Sequence, residues 1–553
     1  MKSYIKIFVA GLMLATTASC GDSFLDTAPA GERTSGSSQT MEEAQSLLTG
    51  CYDGYQQAYC YGGAHFLIAS ELMSDNCFAG GGTDDNTNFM ALDEFERGYV
   101  SEAGMMEDYW KAYYTTINRC NSLIASDAST DWKDDEVTHG NVIGQARALR
   151  ALCYFDLVRI YGKVPLLSEP SVSKIKEAEP AETFELIASD LKFAADNINF
   201  GPYNEATWNS INNGLISEWA AKALLARVYL FYTGYYGAQL EAVTESEVKA
   251  GLESIISNGG FGLLDDFSSL WPASSRVAAE DGSHAWAIDN YAGESNKEIL
   301  FNLKFDSNLS QGTNQNGMIA MVSMRNTTFA PYATGWGVCS VNPRLYTTYL
   351  PADRRRDASI INLAGEGITN SDKFNTSNNW REYTGYSIKK YSATGFNDGT
   401  RWIDIETPGA GADWQYKESQ DMVVMRYADV LLMAAEMGCS NAQGCYDQVR
   451  DRAFGGNTNY RRNITKENIL EERRLEFAFE GLRYWDLLRI QGLNAAAAIL
   501  AANQNGTVVQ SGGVDATVSF SAENMVNKQG LLLKPQNQIT LMGTDYLTQN
   551  AGW

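Results

Sequence analysis

Histidine is nearly absent from this chain, and the residues that could replace it in a reactive centre are not spaced for one. Only His65, His139 and His284 occur in 553 residues, and no Cys-x-x-Cys is present. A zinc site of nitrogen and sulfur ligands is therefore not expected. His-Glu-x-x-His, Gly-x-Ser-x-Gly and the phosphate-binding glycine loop are all missing. Gly409-Ala410-Gly411 lacks the third glycine and the strand–helix context of a dinucleotide site. Basic charge is also short: 43 Lys and Arg face 67 Asp and Glu, a net charge of −24. Nucleic-acid binding needs a basic footprint, so that class is set aside. Proline is scarce at 11, which leaves long helices uninterrupted. No apolar run outside the N-terminus reaches transmembrane length.

What is present is aromatic. The chain holds 12 Trp, 29 Tyr and 22 Phe, and it is long enough by size alone for three or four domains. Its N-terminus reads as a targeting segment. Lys2 and Lys6 precede a short apolar run from Ile7 to Ala15, which ends at Thr17-Ala18-Ser19-Cys20. Small residues before a cysteine resemble a bacterial lipoprotein signal, with Cys20 as the lipidated first residue of the mature chain. Residues 1–19 are then a signal peptide and 20–40 a Gly/Ser/Thr-rich tether. Eight further cysteines remain, and an exported chain permits disulfides. Cys51/Cys60 and Cys439/Cys445 are the pairs nearest in sequence, whereas Cys153 reads as a buried thiol.

Residues 141–165 organise the fold. Val142, Ala146, Leu149, Leu152 or Cys153, Asp156 and Ile160 recur at helical steps, and Ile143, Ala148, Ala151, Phe155, Leu157 and Val158 widen the apolar face. A helix this apolar packs on more than one side. Gly162 and Pro165 end it. Asp156 and Arg159 are expected to be ion-paired, because buried charges need partners. Further helices are predicted over about 107–125, 183–198, 214–232 and 420–436. Another charged helix is expected around Glu471–Glu480, where Glu472, Glu476, Arg473 and Arg474 are spaced for pairing along one helix. Residues 260–415 differ in kind. Long helical periods vanish, Gly, Asn, Ser and Thr accumulate, and six of the 12 tryptophans fall there.

Several of these segments carry a resemblance. Arg147-Ala148-Leu149-Arg150-Ala151, Tyr154 to Arg159 and Tyr161-Gly162-Lys163-Val164-Pro165 resemble the signature helix of the SusD/RagB family of Bacteroidetes nutrient-binding lipoproteins. Phe24-Leu25-Asp26, Ala221–Leu230, Met422–Glu436, Val449–Ala453, Ile469–Arg489 and the terminal Leu533–Gln536 and Leu547–Asn550 follow in the family's order. The resemblance implies a mainly α fold, a tetratricopeptide-like scaffold of helix pairs with a loop-rich, short-strand subdomain. Residues 41–553 would form one SusD-like domain, with scaffold over about 41–259 and 416–553 and a ligand face over about 260–415. It also implies a lipid-anchored protein of the outer membrane and cell surface. Such a protein captures oligosaccharide or polysaccharide without cleaving it and passes it to a SusC-like TonB-dependent transporter. The rivals are a peptide-capturing RagB-like protein, a surface glycoside hydrolase and a purely structural scaffold that binds no small ligand.

Glycan contacts are sought where aromatic rings stand among polar groups, because a sugar ring stacks its C–H face on Trp or Tyr while neighbours bond its hydroxyls. Trp286 and Tyr291 share a short loop with Asp289 and Asn290. Trp336 is flanked by glycines in Thr334-Gly335-Trp336-Gly337, and Arg325 and Asn326 could bond hydroxyls. Asp75 and Asn76 open the first irregular loop, a region that contributes to ligand sites in the family. No catalytic residue, cofactor or metal is expected. The run Asp84-x-Asn86-x-Asn88 has the start of a calcium-loop spacing without its glycine or distal glutamate, and reads as a solvated turn.

Overall fold

A computed structural model of the protein describes residues 39–60, 66–82, 87–96, 105–171, 173–211, 214–278, 286–305, 314–325, 331–368, 380–397, 402–404 and 418–553. The fold is mainly helical, with only short strands paired two at a time. The first part comprises α1 (Met41–Cys60), α2 (Phe66–Leu72), α3 (Met105–Ser126), α4 (Glu136–Tyr161), α5 (Pro180–Asn197), α6 (Glu218–Tyr236) and α7 (Glu245–Asn258). The C-terminal part adds α8 (Tyr427–Glu436), α9 (Ala442–Ala453), α10 (Lys466–Glu476), α11 (Arg483–Gln491), α12 (Leu493–Gln504) and α13 (Gln536–Met542). The long helices pack mostly on their sequence neighbours: α1 on α3, α3 on α4, α4 on α5, α5 on α6, α6 on α7, α7 on α8 and α8 on α9. That is the serial stacking of helix pairs the sequence predicts.

The helix α4 sits in the middle, with α1 and α3 against it on one side and α5 on another. Every residue from Ala148 to Tyr161 is buried. Its start is fixed by Asp135, whose carboxylate accepts from the Thr138 N–H at 3.0 Å, and Gly162 ends it with φ +68°. Two glycines set its distance from α5. A Cβ on Gly140 would meet the Asn197 carbonyl oxygen at 2.3 Å, and one on Gly144 would meet Ile198 at 2.6 Å. The buried charges on α4 are paired, Asp156 and Arg159 with each other along the helix and the links to neighbouring helices coming from Tyr113 and Arg150. Arg159 donates to Asp156 at 2.6 Å, Tyr113 donates to the other oxygen of Asp156 at 2.6 Å, and Arg150 forks onto Asp190 of α5 at 2.8 Å.

Three expectations are corrected. Residues 422–426 form a strand, β10 (Met422–Arg426), rather than the first turn of a helix; it pairs antiparallel with β4 (Ile299–Leu303). That pairing joins segments over a hundred residues apart, and local helical periodicity carries no trace of it. The acidic and basic residues of α10 do not pair along their own helix. Glu472 holds Arg355 at 2.7 Å and also binds Arg450, while Glu476 holds Arg355, Arg426 and Arg452 at 3.0, 2.6 and 2.5 Å. Arg473 binds Asp429 and Asp486. These charges are buried, so burial selects partners from surrounding elements over solvated neighbours on the same helix. Finally, all eight cysteines from Cys51 to Cys445 are free buried thiols. Cys51 lies against Cys120 rather than pairing with Cys60, and Cys77 lies against Cys339.

One apolar cluster runs from Ala44 to Trp553 and takes in both helical parts, together with Trp271, Phe301, Met318 and Val338 between them. A smaller cluster of Ala273, Met324, Tyr332, Ile361, Leu363, Ile368 and Trp380 lies within the loop-rich stretch. Among the described residues no helix is long and apolar enough to cross a membrane.

Candidate functional site

Among its described residues, the loop-rich stretch is built from short paired strands and helices of at most six residues. β2 (Arg276–Ala278) pairs with β3 (Trp286–Asp289), β6 (Ile360–Asn362) with β7 (Tyr386–Ile388) and β8 (Gly395–Asn397) with β9 (Trp402–Asp404). β1 (Cys77–Ala79), from the first irregular segment, pairs antiparallel with β5 (Cys339–Val341).

Trp336 and Arg325 come together here. The chain from Gly335 to Val338 lies along the short helix Gly317–Val322: the N–H groups of Gly335, Trp336, Gly337 and Val338 donate to the carbonyls of Met324, Ala320, Ser323 and Met321 at 2.7–2.9 Å. The two flanking glycines have separate causes. At Gly335 a Cβ would meet the Ser323 and Ala320 carbonyl oxygens at 2.5 and 2.7 Å, and Gly337 has φ +66°. The Trp336 ring is half-buried against the main core, and Arg325 Nη1 donates to the Trp336 carbonyl at 3.4 Å. The first irregular segment reaches the same place. Gly80 donates its N–H to the Val338 carbonyl at 2.7 Å, and a Cβ there would lie 2.2 Å from the Gly337 oxygen.

Tyr291 follows β3. Arg276 of β2 lies over its ring at 4.7 Å and also pairs with Asp289 at 3.1 Å, so a cation and a carboxylate bracket the tyrosine. Asp289 and Asn290 are exposed. Trp286 opens β3, and its side chain lies outside the described set, as do Asn326 and Cys20. Residues 83–86, which contain most of the Asp84–Asn88 run, also lie outside it. Ala273 and Met324 share the smaller apolar cluster, which ties the Tyr291 hairpin to the segment carrying Arg325.

Asp75 and Asn76 are not on this face. Both are 0 % exposed. Arg483 forks onto the Asp75 carboxylate at 2.8 and 2.9 Å, Asn503 donates to it at 2.6 Å, and Arg474 donates to Asn76 Oδ1 at 3.1 Å. Burial alone would raise the proton affinity of Asp75, but Arg474 and Arg483 overcome it and hold the carboxyl well below the usual range. These two residues therefore anchor the first irregular segment to α10, α11 and α12 from inside, and no surface of theirs meets solvent. The residue types alone do not reveal this, because their partners lie some four hundred residues along the chain.

The sequence reading also missed an aromatic pair. Tyr346 and Tyr386 have ring centroids 4.7 Å apart at 31°, both half-buried, with Arg356 over Tyr346 at 4.7 Å. Asp357 accepts from the Tyr346 hydroxyl at 3.1 Å, and Asn362 donates to that oxygen at 3.3 Å. The consecutive arginines 354–356 were the available signal, since such a basic run beside tyrosines offers both stacking and hydroxyl bonding. Among the described residues no group of three or more His, Cys, Asp or Glu could hold a metal ion.

Two family models match the chain. Residues 24–230 match one described as starch-binding associating with outer membrane, and residues 297–553 match the SusD family model. SusD-like protein P2 of Formosa agariphila is 25% identical over 515 residues, covering 89% of this chain and 91% of its own. A SusD-like protein of Bacteroides ovatus is 24% identical over 520 residues, covering 88% and 83%. Among solved structures, surface glycan-binding protein A from Bacteroides fluxus superposes with a TM-score of 0.73 at 25% identity, over 93% of this chain and all of that one. The serial helix pairs, the short-stranded loop region and the two family matches at either end agree, and the chain belongs to the SusD/RagB family.

Proposed function

We propose that this protein is a cell-surface lipoprotein, anchored in the outer membrane through Cys20, that captures an oligosaccharide or polysaccharide on its loop-rich face without cleaving it. It hands the glycan to a SusC-like TonB-dependent transporter, against which the helical scaffold docks. The observation that carries the reading is the half-buried Trp336 beside Arg325, held on a rigid backbone clamp next to the glycine segment at Gly80. A clamped ring loses little entropy on stacking a sugar, and a neighbouring guanidinium supplies donors to its hydroxyls. Tyr291 with Asp289, and the Tyr346–Tyr386 pair with Asp357 and Asn362, extend the face in the same chemistry. The likeness to a surface glycan-binding protein and the starch-binding family model support the ligand class.

Calorimetry tests the reading. The mature chain from Gly21 is titrated with neutral and acidic polysaccharides and with a peptide digest, while the same mixtures are assayed for new reducing ends. Heat with a glycan and no new ends is expected, and Trp336→Ala should weaken that binding by more than about 1 kcal/mol, the loss that marks an important interface ring on truncation. Heat with peptides alone would move the protein to the peptide-capturing branch. New reducing ends would make it an enzyme.

A further inference from the structure

A cavity of about 550 Å³ opens on the helical scaffold, and its lining contains no residue of the loop-rich stretch. It lies where α4 and α6 end and α5 begins, and the C-terminal residues 529–551 close its remaining side. The volume is that of a small-ligand site, about 300–1,000 Å³. One wall is aromatic. Tyr232, Tyr235 and Tyr236 end α6 at helical steps, so all three rings project near one another. Tyr236 is 37% exposed, yet its ring is held by Phe184 at 5.6 Å, Tyr232 at 5.4 Å and Tyr235 edge-on at 4.9 Å. A solvated helix end has no need of three tyrosines, and a ring fixed on several sides is already organised to stack.

The remaining lining is polar and assembled from distant segments. Lys534 reaches Glu177 at 2.6 Å with side chains 2% and 14% exposed, and Thr548 donates its hydroxyl to the other oxygen of Glu177 at 2.6 Å. Burial opposes ionisation of Glu177, but the Lys534 and Thr548 hydrogen bonds hold its carboxyl below the ordinary glutamate value, so it stays an acceptor. Lys163 and Glu179 form a second pair at 2.5 Å on the rim. Two cations and two anions, each already paired, leave the cavity without net charge. An ionic ligand would break a pair to enter, whereas a neutral ligand with hydroxyls would not.

We propose that this cavity is a second glycan site, on the scaffold and separate from the loop face, which takes a neutral pyranose unit with its C–H face on Tyr236 and its hydroxyls towards Glu177 and Glu179. The inference goes beyond the loop-face reading and is tested apart from it. Hydrogen exchange of the mature chain is followed by mass spectrometry in millimolar laminarihexaose and, separately, maltohexaose. Slower exchange over residues 229–237 and 546–551 with either probe is the expected result. Tyr236→Ala, an exposed site whose variant is checked for fold by circular dichroism, should weaken that protection about tenfold while leaving any loop-face protection unchanged. Loop-face protection alone overturns this inference and leaves the proposed function standing. Scaffold protection alone supports it and removes the loop face as the capture site. Protection at neither place with either probe overturns it.

Discussion

Glu71 shows how much a single buried group can set in this protein. It lies at 1% exposure in α2, accepting from the Gly481 N–H at 2.7 Å and from Asn76 at 3.3 Å. Burial raises its carboxyl to about 7 against these two bonds, which lower it. The folded chain therefore holds this proton more tightly than the unfolded chain does. The associated stability is complete below the ordinary glutamate value of 4.5 and is lost as pH rises through about 7. Glu71→Gln keeps an acceptor for Gly481 and removes the titration. Denaturant unfolding at pH 5 and pH 8 should show the variant gaining about 2.5 kcal/mol on the parent between the two values. An unchanged difference would show that Glu71 keeps an ordinary proton affinity in the fold. The nearby Asp75 carries the opposite lesson about reading residues in isolation. An Asp-Asn pair opening an irregular segment looks solvent-facing, but three partners, Arg474, Arg483 and Asn503, arrive from the far end of the chain and take it inside. The glycines beside Trp336 are a local signal of an unusual backbone, and the structure lays that backbone along the helix Gly317–Val322. The pairing of Tyr346 with Tyr386 has no local signal, because forty residues separate the rings, one on the short helix Pro343–Thr348 and the other on β7.

At the scale of elements, the helices were read well wherever packing and local pattern agree. The helix α4 has its period and its terminating glycine in one stretch and the structure uses both, whereas its start at Glu136, capped by Asp135, lies five residues before the segment read from periodicity. β10 was misread because a run of Met and Val suits either state, and pairing with β4 decides it. Glycine gives a direct test of element packing. An alanine in place of a helical glycine ordinarily gains up to about 1 kcal/mol. Gly251 of α7 has room, its nearest neighbour to a Cβ being Lys222 at 3.8 Å, so Gly251→Ala should stabilise by roughly that amount. Gly140 of α4 faces the backbone oxygen of Asn197 at 2.3 Å, where nothing flexible can give way. Gly140→Ala should instead destabilise by about 1–3 kcal/mol, the usual cost of overpacking. The pair of thermal or denaturant midpoints should move in opposite directions. If both rise, α4 and α5 are not in the close contact that places Arg150 on Asp190.

At the scale of the whole molecule, the buried ions join what composition divides. Glu298, next to β4, meets Arg426 and Arg452. Glu476 meets Arg355 from the loop-rich stretch as well as Arg426 and Arg452, and Lys390 beside β7 reaches Glu480 at 2.7 Å. Removing one member leaves several unpaired charges in the interior, a loss of about 3–5 kcal/mol for a broken buried pair. The apolar cluster crosses the same boundary, since Trp271, Phe301, Leu345 and Tyr391 of the loop-rich stretch belong to the one cluster that holds the helical core. The loop-rich stretch therefore has little stability separate from the scaffold, and a rigid ligand face follows from a shared core rather than from its own short strands. Two probes separate the parts: far-ultraviolet circular dichroism follows the helices, and tryptophan fluorescence is weighted towards 260–415, where six of the 12 tryptophans lie. Their melting midpoints should coincide in the parent chain and fall together in Glu476→Gln, by about 1 °C for each kcal/mol lost, because the unfolding entropy grows with chain length. Midpoints that separate in the parent would show that the ligand face folds on its own. A variant that loses only the fluorescence transition would show that the ion lattice props up the loops without coupling them to the helices.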